Sequence, residues 1–273
     1  MKKIEYLDSL QKNKRDRRER IFRTYRVKNL LFKFVPVLLL FLFNNNLLIN
    51  IIFGCLWIVF QTMFLDQTDI YPFRPTVSVW FGVPGSGKTT MAALLSRASR
   101  KFKYKVLSNF ELKGAYRLEV SDLGNVDMSF DGDGCHVILD EGQLDFDNRN
   151  YMNFAKSSAP KYFSLHRHMN NRVDVFSQGY DIDKRIRDRC GSNGLYHLKR
   201  FPLKGFVYYR HISKVLFINK EDKQMIDGFE FRGLPRIVYS RSVWDSFDTL
   251  DLSMCPKNKK DWQLWSSDKE STL

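Results

Sequence analysis

The chain has 273 residues, of which 44% are hydrophobic, and its formal net charge at pH 7 is +14. This length suits one large domain or two small ones. The four cysteines, at positions 55, 135, 190 and 255, form no Cys-x-x-Cys pair, which excludes a zinc cluster and favours free thiols in a reducing compartment. A chain this basic is expected to meet an anionic partner, either nucleic acid or a membrane surface.

Basic residues are concentrated at the start of the chain. Residues 1–28 carry eleven Lys or Arg against four Asp or Glu. Contact with anionic lipid and a signal for membrane topology account for this charge, because positive segments flanking apolar ones stay on the cytoplasmic side. Direct contact with nucleic acid is the alternative.

Two apolar runs follow, at 30–43 and 47–65, and Asn44-Asn45-Asn46 separates them. The second run is long enough to cross about 30 Å of hydrocarbon as a helix, whereas the first is short for a full crossing and could be re-entrant. An even number of crossings keeps both the basic segment and the later nucleotide site in the cytoplasm. Residues 29–65 therefore predict a transmembrane helical hairpin, with a buried helical pair as the alternative and 66–75 as a linker.

The strongest motif lies between a predicted strand, Val77–Phe81, and a predicted helix that begins near Thr90. It matches G-x-x-x-x-G-K-[ST], whose glycines let backbone N–H groups surround phosphate oxygens. In such a loop Lys88 reaches the β- and γ-phosphates and Thr89 binds Mg²⁺, so ATP and Mg²⁺ are the expected cofactors. The predicted nucleotide-binding residues are Gly82, Val83, Pro84, Gly85, Ser86, Gly87, Lys88, Thr89 and Thr90.

A second apolar strand ends in two carboxylates about fifty residues later, in Cys135-His136-Val137-Ile138-Leu139-Asp140-Glu141. This is the Walker B pattern, and we expect the strand to lie buried beside the phosphate-loop strand. Asp140 would hold Mg²⁺ at the carboxyl end of the sheet, together with Thr89. Glu141 would activate the attacking water, which makes it, with Lys88, a predicted catalytic residue.

A third strand is predicted at 172–178, preceded by a helix at 159–168. Gln178 ends this strand and is a further catalytic candidate, because a polar side chain there could face the γ-phosphate; a solvated strand end is the alternative. An arginine finger acting on a neighbouring subunit is also expected. Its candidates, each of which could equally be a solvated charge, are Arg167, Arg185, Arg187 and Arg189.

The region from 194 to 247 predicts strands at 195–198, 205–210 and 214–218, with a hairpin tip at 219–223. Basic residues alternate there with aromatic ones. This pattern suits a groove that holds single-stranded nucleic acid, and it suits an ordinary half-buried sheet as well. The basic residues concerned are Lys199, Arg200, Lys204, Arg210 and Lys214.

These motifs occur in an order that resembles the zonular occludens toxin-like proteins, the assembly ATPases of filamentous bacteriophages. The resemblance covers about residues 76–250. Besides the phosphate loop and the Asp140-Glu141 strand, it rests on His166-Arg167-His168, Val175-Phe176-Ser177-Gln178, Asp183-Lys184-Arg185-Ile186-Arg187-Asp188 and Phe247-Asp248-Thr249. Better-known members place the ATPase before a membrane span, whereas here the apolar region comes first.

The resemblance implies an α/β fold of the P-loop NTPase type with a mostly parallel central sheet, similar to RecA and the DNA-pumping ATPases. It also implies a motor that extrudes phage DNA while coat protein is added. By family likeness the DNA is expected to be single-stranded, and the motor is expected to be a homo-oligomeric ring with a hexamer favoured. The expected location is the host inner membrane, crossed more than once, with the ATPase domain cytoplasmic.

The predicted organisation has four parts: a basic cytoplasmic segment at 1–28, a membrane hairpin at 29–65, an ATPase domain at 66–255 and a polar tail at 256–273. Three other functions compete with the assembly motor. One is an ATP-switched membrane scaffold that barely hydrolyses, and another is a conjugation- or packaging-type DNA pump. The third, a small-molecule kinase, is disfavoured by Asp140-Glu141 and by the hairpin.

Overall fold

A computed structural model describes residues 2–43, 46–71, 75–123, 134–140, 159–179, 186, 190, 194–218 and 225–247. The chain begins with a helical hairpin. Helix α1 runs from Lys2 to Phe43 without interruption, so the predicted boundary at residue 28 falls inside it. Helix α2, Leu47–Phe60, returns along α1 and continues into one π-helical segment, Gln61–Leu65. The tip residues 44 and 45 lie outside the described part.

Polar and close-packed contacts join the two arms of the hairpin. Pro36 lacks the N–H that would bond to the carbonyl of Phe32, four residues earlier in α1. That carbonyl instead accepts the indole N–H of Trp57 on α2, at 3.2 Å. One turn further along, a Cβ on Gly54 would lie 3.0 Å from Val37 Cγ1, so the absence of a side chain lets the helices approach closely.

The rest of the described chain forms an eight-stranded sheet in the order β3-β2-β4-β5-β1-β6-β7-β8. The first six strands in this order are parallel, and β7 and β8 are antiparallel additions, which confirms the expectation of a mostly parallel sheet. The strands are β1 Val77–Phe81, β2 Lys105–Ser108, β3 Tyr116–Arg117, β4 Cys135–Leu139, β5 Arg172–Ser177, β6 Leu195–Lys199, β7 Phe206–Ile218 and β8 Met225–Tyr239.

Helices cover the two faces of the sheet. Helix α3, Lys88–Lys101, packs against one face, where Met91 and Leu95 meet Trp80. Helix α4, Ala159–Leu165, lies on the other face, in a cluster with Val79 and Val175. The central strands are buried on both faces, as parallel strands in layered α/β folds are. Short 3₁₀ turns at Val120–Asp122 and Arg241–Ser246 complete the described elements.

Three sequence expectations need correction. Strand β4 does not lie beside β1, because β5 is inserted between them and pairs with both. The strands predicted at 205–210 and 214–218 are one strand, β7, whose register against β8 shifts between Tyr209 and His211. Helix α4 ends at Leu165 rather than His168, and a turn follows it. The hairpin tip predicted at 219–223 lies outside the described residues.

Candidate nucleotide-binding site

The phosphate loop occupies the turn between β1 and α3. Gly85 and Gly87 have φ angles of +76° and +93°, which only glycine adopts without strain. Gly87 directly precedes α3, so the first helical N–H groups point toward the loop. A Cβ on Gly82 would lie 3.0 Å from the carbonyl oxygen of Leu198 and 2.3 Å from Ser86 Oγ, so this position also requires glycine.

The side chain of Lys88 folds back over the loop. Its Nζ donates to the carbonyl oxygen of Gly82 at 2.9 Å and lies 3.5 Å from that of Val83. Only 8% of the residue is exposed. The buried hydroxyl of Ser86 has no hydrogen-bond partner among the described residues. Within the described part of the chain only carbonyls hold this ammonium group. It and the Ser86 hydroxyl fit the phosphates of a nucleotide, whose oxygens would accept from both.

Asp140 follows β4 at the same edge of the sheet, because the carboxyl ends of parallel strands lie together. The side chain of Asn109, which follows β2, holds its backbone on both sides. Asn109 Oδ1 accepts from the N–H of Asp140 at 2.8 Å, and Asn109 Nδ2 donates to its carbonyl oxygen at 3.0 Å. We did not predict Asn109 from the sequence; its only signal is a polar residue directly after a strand.

The inserted strand β5 brings Gln178 to this edge, between the phosphate loop and Asp140. The N–H of Gly82 donates to the carbonyl of Ser177 at 3.0 Å, so the end of β5 is tied to the start of the loop. Gln178 is exposed directly after β5. Thr89 and Thr90 lie half-buried in the first turn of α3, and Thr89 with Asp140 fits a magnesium ion by its oxygen donors.

Several predicted site residues are not placed at this edge. Glu141, Arg185, Arg187 and Arg189 lie outside the described residues. Arg167 is exposed in the turn that precedes β5, at the opposite, amino edge of the sheet. Since the phosphate loop lies at the carboxyl edge, Arg167 could meet a nucleotide only on a neighbouring subunit.

A fully buried polar network lies beneath the site, centred on Asp174 of β5. Its carboxylate accepts Arg172 Nε at 2.6 Å, Trp80 Nε1 at 2.8 Å and His136 Nε2 at 2.5 Å. Burial alone would raise the pKa of Asp174, but the Arg172 charge and these donors hold that pKa well below its usual range. The other ring nitrogen of His136, Nδ1, lies 2.6 Å from the Ser99 hydroxyl on α3.

This network fixes the protonation of His136. Burial lowers the pKa of His136, so the ring is neutral, and an ionised Asp174 can only accept. Nε2 therefore carries the proton and donates to Asp174, while Nδ1 accepts from Ser99. The network joins β1, β4, β5 and α3, the four elements that lead into the site.

The segment after the hairpin is docked onto the sheet. Asp66 Oδ2 pairs with Lys33 of α1 at 3.2 Å and with Arg236 of β8 at 3.1 Å. Burial raises the pKa of Asp66, but the Thr68 hydroxyl and these two cations outweigh burial and lower it. We call the contacts among Lys33, Asp66 and Arg236 the hairpin latch. The predicted linker thus holds the hairpin against β8.

Asp69 adds a second set of contacts between this segment and the sheet. Its carboxylate lies 2.9 Å from His211 Nε2 and 3.3 Å from the Tyr209 hydroxyl, both on β7. Its carbonyl oxygen accepts Arg172 Nη2 at 2.9 Å. Arg172 therefore connects the segment after the hairpin to the network around Asp174.

Comparisons with known proteins give similar folds only. No protein-family model matches the chain. The search of curated proteins gives no match. Among solved structures, the N-terminal domain of zonular occludens toxin from Neisseria meningitidis is similar, with 19% identity and a TM-score of 0.40; the match covers 64% of this chain and 100% of that one.

The genome packaging NTPase B204 from Sulfolobus turreted icosahedral virus 2, in complex with sulfate, matches with 11% identity and a TM-score of 0.36. That match covers 56% of this chain and 96% of the viral one. The first of these two structures is a zonular occludens toxin domain, the kind of protein that the motifs of this chain resemble. With TM-scores of 0.40 and 0.36, these likenesses carry no argument about function, which rests on the residues of this chain.

Proposed function

We propose that this protein is a membrane-anchored ATPase whose hydrolysis of Mg²⁺–ATP drives DNA translocation or the assembly and extrusion of a filamentous phage. One observation carries the nucleotide part of this proposal. The phosphate loop, Gln178 and Asp140 follow three adjacent parallel strands, so a phosphate-binding loop, a polar residue and a carboxylate residue lie at one edge of the sheet. This is the arrangement that a hydrolytic nucleotide site needs.

The residues of the site have separable roles in the proposed reaction. Loop N–H groups and the start of α3 bind phosphate oxygens, and Lys88 exchanges its carbonyl partners for the β- and γ-phosphates. Thr89 and Asp140 would hold Mg²⁺, which supplies charge neutralisation when bound. Glu141 would orient the attacking water and accept its proton, while ADP leaves with the bond electrons.

Turnover of the detergent-solubilised protein tests this proposal. We expect phosphate release from ATP. In Lys88→Ala we expect the rate of release to fall on the order of 100- to 1000-fold, because the γ-phosphate loses the ammonium group that stabilises its negative charge. Glu141→Gln should retain binding of an ATP analogue and lose turnover. If the wild-type protein binds no nucleotide, the proposed ATPase function is wrong. If Glu141→Gln turns over at the wild-type rate, the proposed role of Glu141 is wrong.

The surface of the hairpin supports a membrane location. One described helical segment, Leu47–Leu65, is long and apolar enough to cross a bilayer, and it is mostly exposed. Large apolar side chains on both arms also lie open, with Phe43 at 85% and Leu48 at 68% exposure. A contiguous apolar surface of this kind is rare on soluble monomers. We place it in the inner membrane of the host cell.

Labelling of the hairpin tip tests whether the chain crosses twice. Three consecutive asparagines are costly in hydrocarbon, so a tip that crosses should reach the opposite side. In Asn46→Cys we expect an impermeant maleimide to label the tip from outside intact cells. The native Cys55, halfway along α2, should stay protected. A tip labelled only after permeabilisation would contradict the double crossing and favour a re-entrant hairpin.

The remaining parts of the proposal rest on the family resemblance and on charge. DNA should stimulate turnover, and particle mass in the presence of an ATP analogue should report a ring. An ATP-dependent change in mass without measurable turnover would instead favour the membrane scaffold. Co-purification with coat protein would test the role in phage assembly.

A further inference from the structure

One face of the sheet carries aromatic and basic side chains where β6, β7 and β8 extend beyond the phosphate-loop strand. Strand pairing places Lys199 beside Tyr208, and Phe206 beside Tyr239, with all four side chains on the same face. The loop residue Phe201 stacks on Tyr208, with ring centroids 6.3 Å apart and planes inclined by 9°. We call the following set the aromatic–basic face: Lys199, Phe201, Phe206, Tyr208, Arg210 and Tyr239.

The alternating neighbours of these residues point the other way. Leu198, Val207 and Tyr209 are buried in the cluster that packs against α3. Arg236, paired with Tyr209, reaches the hairpin latch. The aromatic–basic face is therefore opposite to both α3 and the latch, so the hairpin base does not cover it. Tyr239 is 55% exposed and Lys199 is exposed as well.

The part of the chain that forms β6 and β7 is positively charged. Residues 195–218 contain five Lys or Arg and no Asp or Glu. Arg210 lies with its guanidinium carbon 5.1 Å from the centre of the Phe231 ring, so cations and rings already share this surface. The exposed ring of Tyr239 and the half-buried rings of Phe201, Phe206 and Tyr208, interleaved with cations, suit a polyanion that carries flat bases.

The face is also joined to the nucleotide site through the strands themselves. The side chain of Val207 comes within 3.6 Å of a Cβ placed on Gly87, and Leu198 borders Gly82. Each of these residues directly precedes a member of the aromatic–basic face, Tyr208 or Lys199. A shift of the phosphate loop would therefore move the backbone of β6 and β7, which carries Lys199 and Tyr208.

We propose that the aromatic–basic face binds single-stranded nucleic acid, with bases stacked on Tyr208 and Tyr239 and phosphates held by Lys199 and Arg210. A duplex would not fit in the same way, because its bases are already stacked and paired. This inference deepens the proposed function, on which it rests, by naming the surface that would hold the DNA.

Binding of a fluorescein-labelled oligothymidylate to the full chain in detergent, without nucleotide, tests the inference by anisotropy. Tyr239→Leu and Tyr208→Leu keep an apolar side chain but remove the flat ring, and we expect each to weaken binding by about 5- to 100-fold. Lys199→Gln should make the dependence of log affinity on log salt shallower by about 0.7.

Two matched variants serve as controls. Arg232→Gln removes one exposed charge from the other face, because Arg232 pairs with His211, whose side chain contacts Asp69 there. Trp244→Leu removes an exposed ring from the 3₁₀ turn that packs on α3. Both should bind the oligothymidylate like the wild type.

Equal binding by Tyr208→Leu, Tyr239→Leu and wild type would overturn the inference, as would equal affinity for a duplex of the same length. If Tyr239→Leu instead changes the particle mass while oligothymidylate binding stays the same, the face is a contact between copies of this chain, and the inference is wrong. ATP turnover distinguishes the two proposals. Turnover without oligothymidylate binding defeats only this inference, and binding without turnover defeats only the ATPase.

Discussion

At the scale of single residues, the position of Asp140 depends on a side chain from another strand. We predict that Asn109→Ala raises the Mg²⁺ concentration needed for half-maximal turnover by about 10- to 100-fold, because the carboxylate loses the clamp on its backbone. Binding of an ATP analogue at saturating Mg²⁺ should change little. Mg²⁺ titrations of phosphate release measure the effect.

Asn171 provides a matched control for this variant. Its Oδ1 accepts the N–H of Cys135 at 2.8 Å, at the opposite end of the same strand β4. Asn171→Ala should therefore lower stability without changing the Mg²⁺ requirement. If both variants shift the requirement equally, Asn109 acts through general stability and not through Asp140.

The buried carboxylate of Asp174 makes a second residue-scale prediction. Asp174→Asn leaves the Arg172 guanidinium buried without its counter-charge, and losing one partner of a buried pair costs about 3–5 kcal/mol. Denaturant unfolding followed by tryptophan fluorescence should show this loss, whereas the exposed Glu230→Gln should stay within about 0.5 kcal/mol of wild type. A loss near that of Glu230→Gln would mean that the network contributes little.

At the scale of elements, the latch decides how firmly the hairpin is held. Asp66→Ala removes the carboxylate shared by Lys33 and Arg236. We expect amides of Gln61–Leu65 and of β8 to exchange about 5- to 150-fold faster, as the loss of about 1–3 kcal/mol implies. Hydrogen exchange measures this, and the exposed Asp16→Ala on α1 is the control. Unchanged exchange would show that apolar packing alone holds the hairpin.

Local patterns predicted the strands that carry the site. The glycine-rich loop, the apolar run before Asp140 and the run at 172–178 each have their signal within a few residues, and the structure forms β1, β4 and β5 there. The position of β5 between the other two has no local signal, because parallel pairing is decided by residues far apart in the chain.

Long-range side-chain contacts escaped prediction for the same reason. Asn109 meets Asp140 across 31 positions of sequence, and His136 meets Asp174 across 38. Strand β7 is one strand rather than the two predicted, and its register against β8 shifts between Tyr209 and His211, which depends on the partner strand and not on local sequence. The predicted roles of the site residues, including Glu141, Gln178 and the four arginines, remain predictions.

At the scale of the whole molecule, the neutral histidine makes stability depend on pH. Because burial lowers the pKa of His136, the unfolded chain binds a proton near its ordinary pKa of about 6.5 that the folded protein does not bind. The free energy of unfolding should therefore be fully retained above about pH 6.5 and fall as the pH decreases below it. Apparent melting temperatures of the detergent-solubilised protein, measured across this range, give the slope.

His136→Gln serves as the reference for this slope. Glutamine can still donate to Asp174 but does not titrate. The slope of the unfolding free energy against pH should therefore decrease by the amount that uptake of about one proton on unfolding contributes. Equal slopes in wild type and His136→Gln would mean that other groups cause the acid sensitivity.

The unbroken helix α1 sets a fixed distance between the basic N-terminal end of the chain and the hairpin tip. Its 42 residues span about 63 Å, of which the basic part before Asn29 accounts for about 40 Å. The distance between the basic end and the hairpin tip is therefore constant while the helix is intact. Any tilt of the hairpin must swing the basic end through an arc, and a rotation of about 10° would displace it by about 7 Å. A change in the tilt of the hairpin in the membrane therefore also moves the basic end, because both are parts of the same helix.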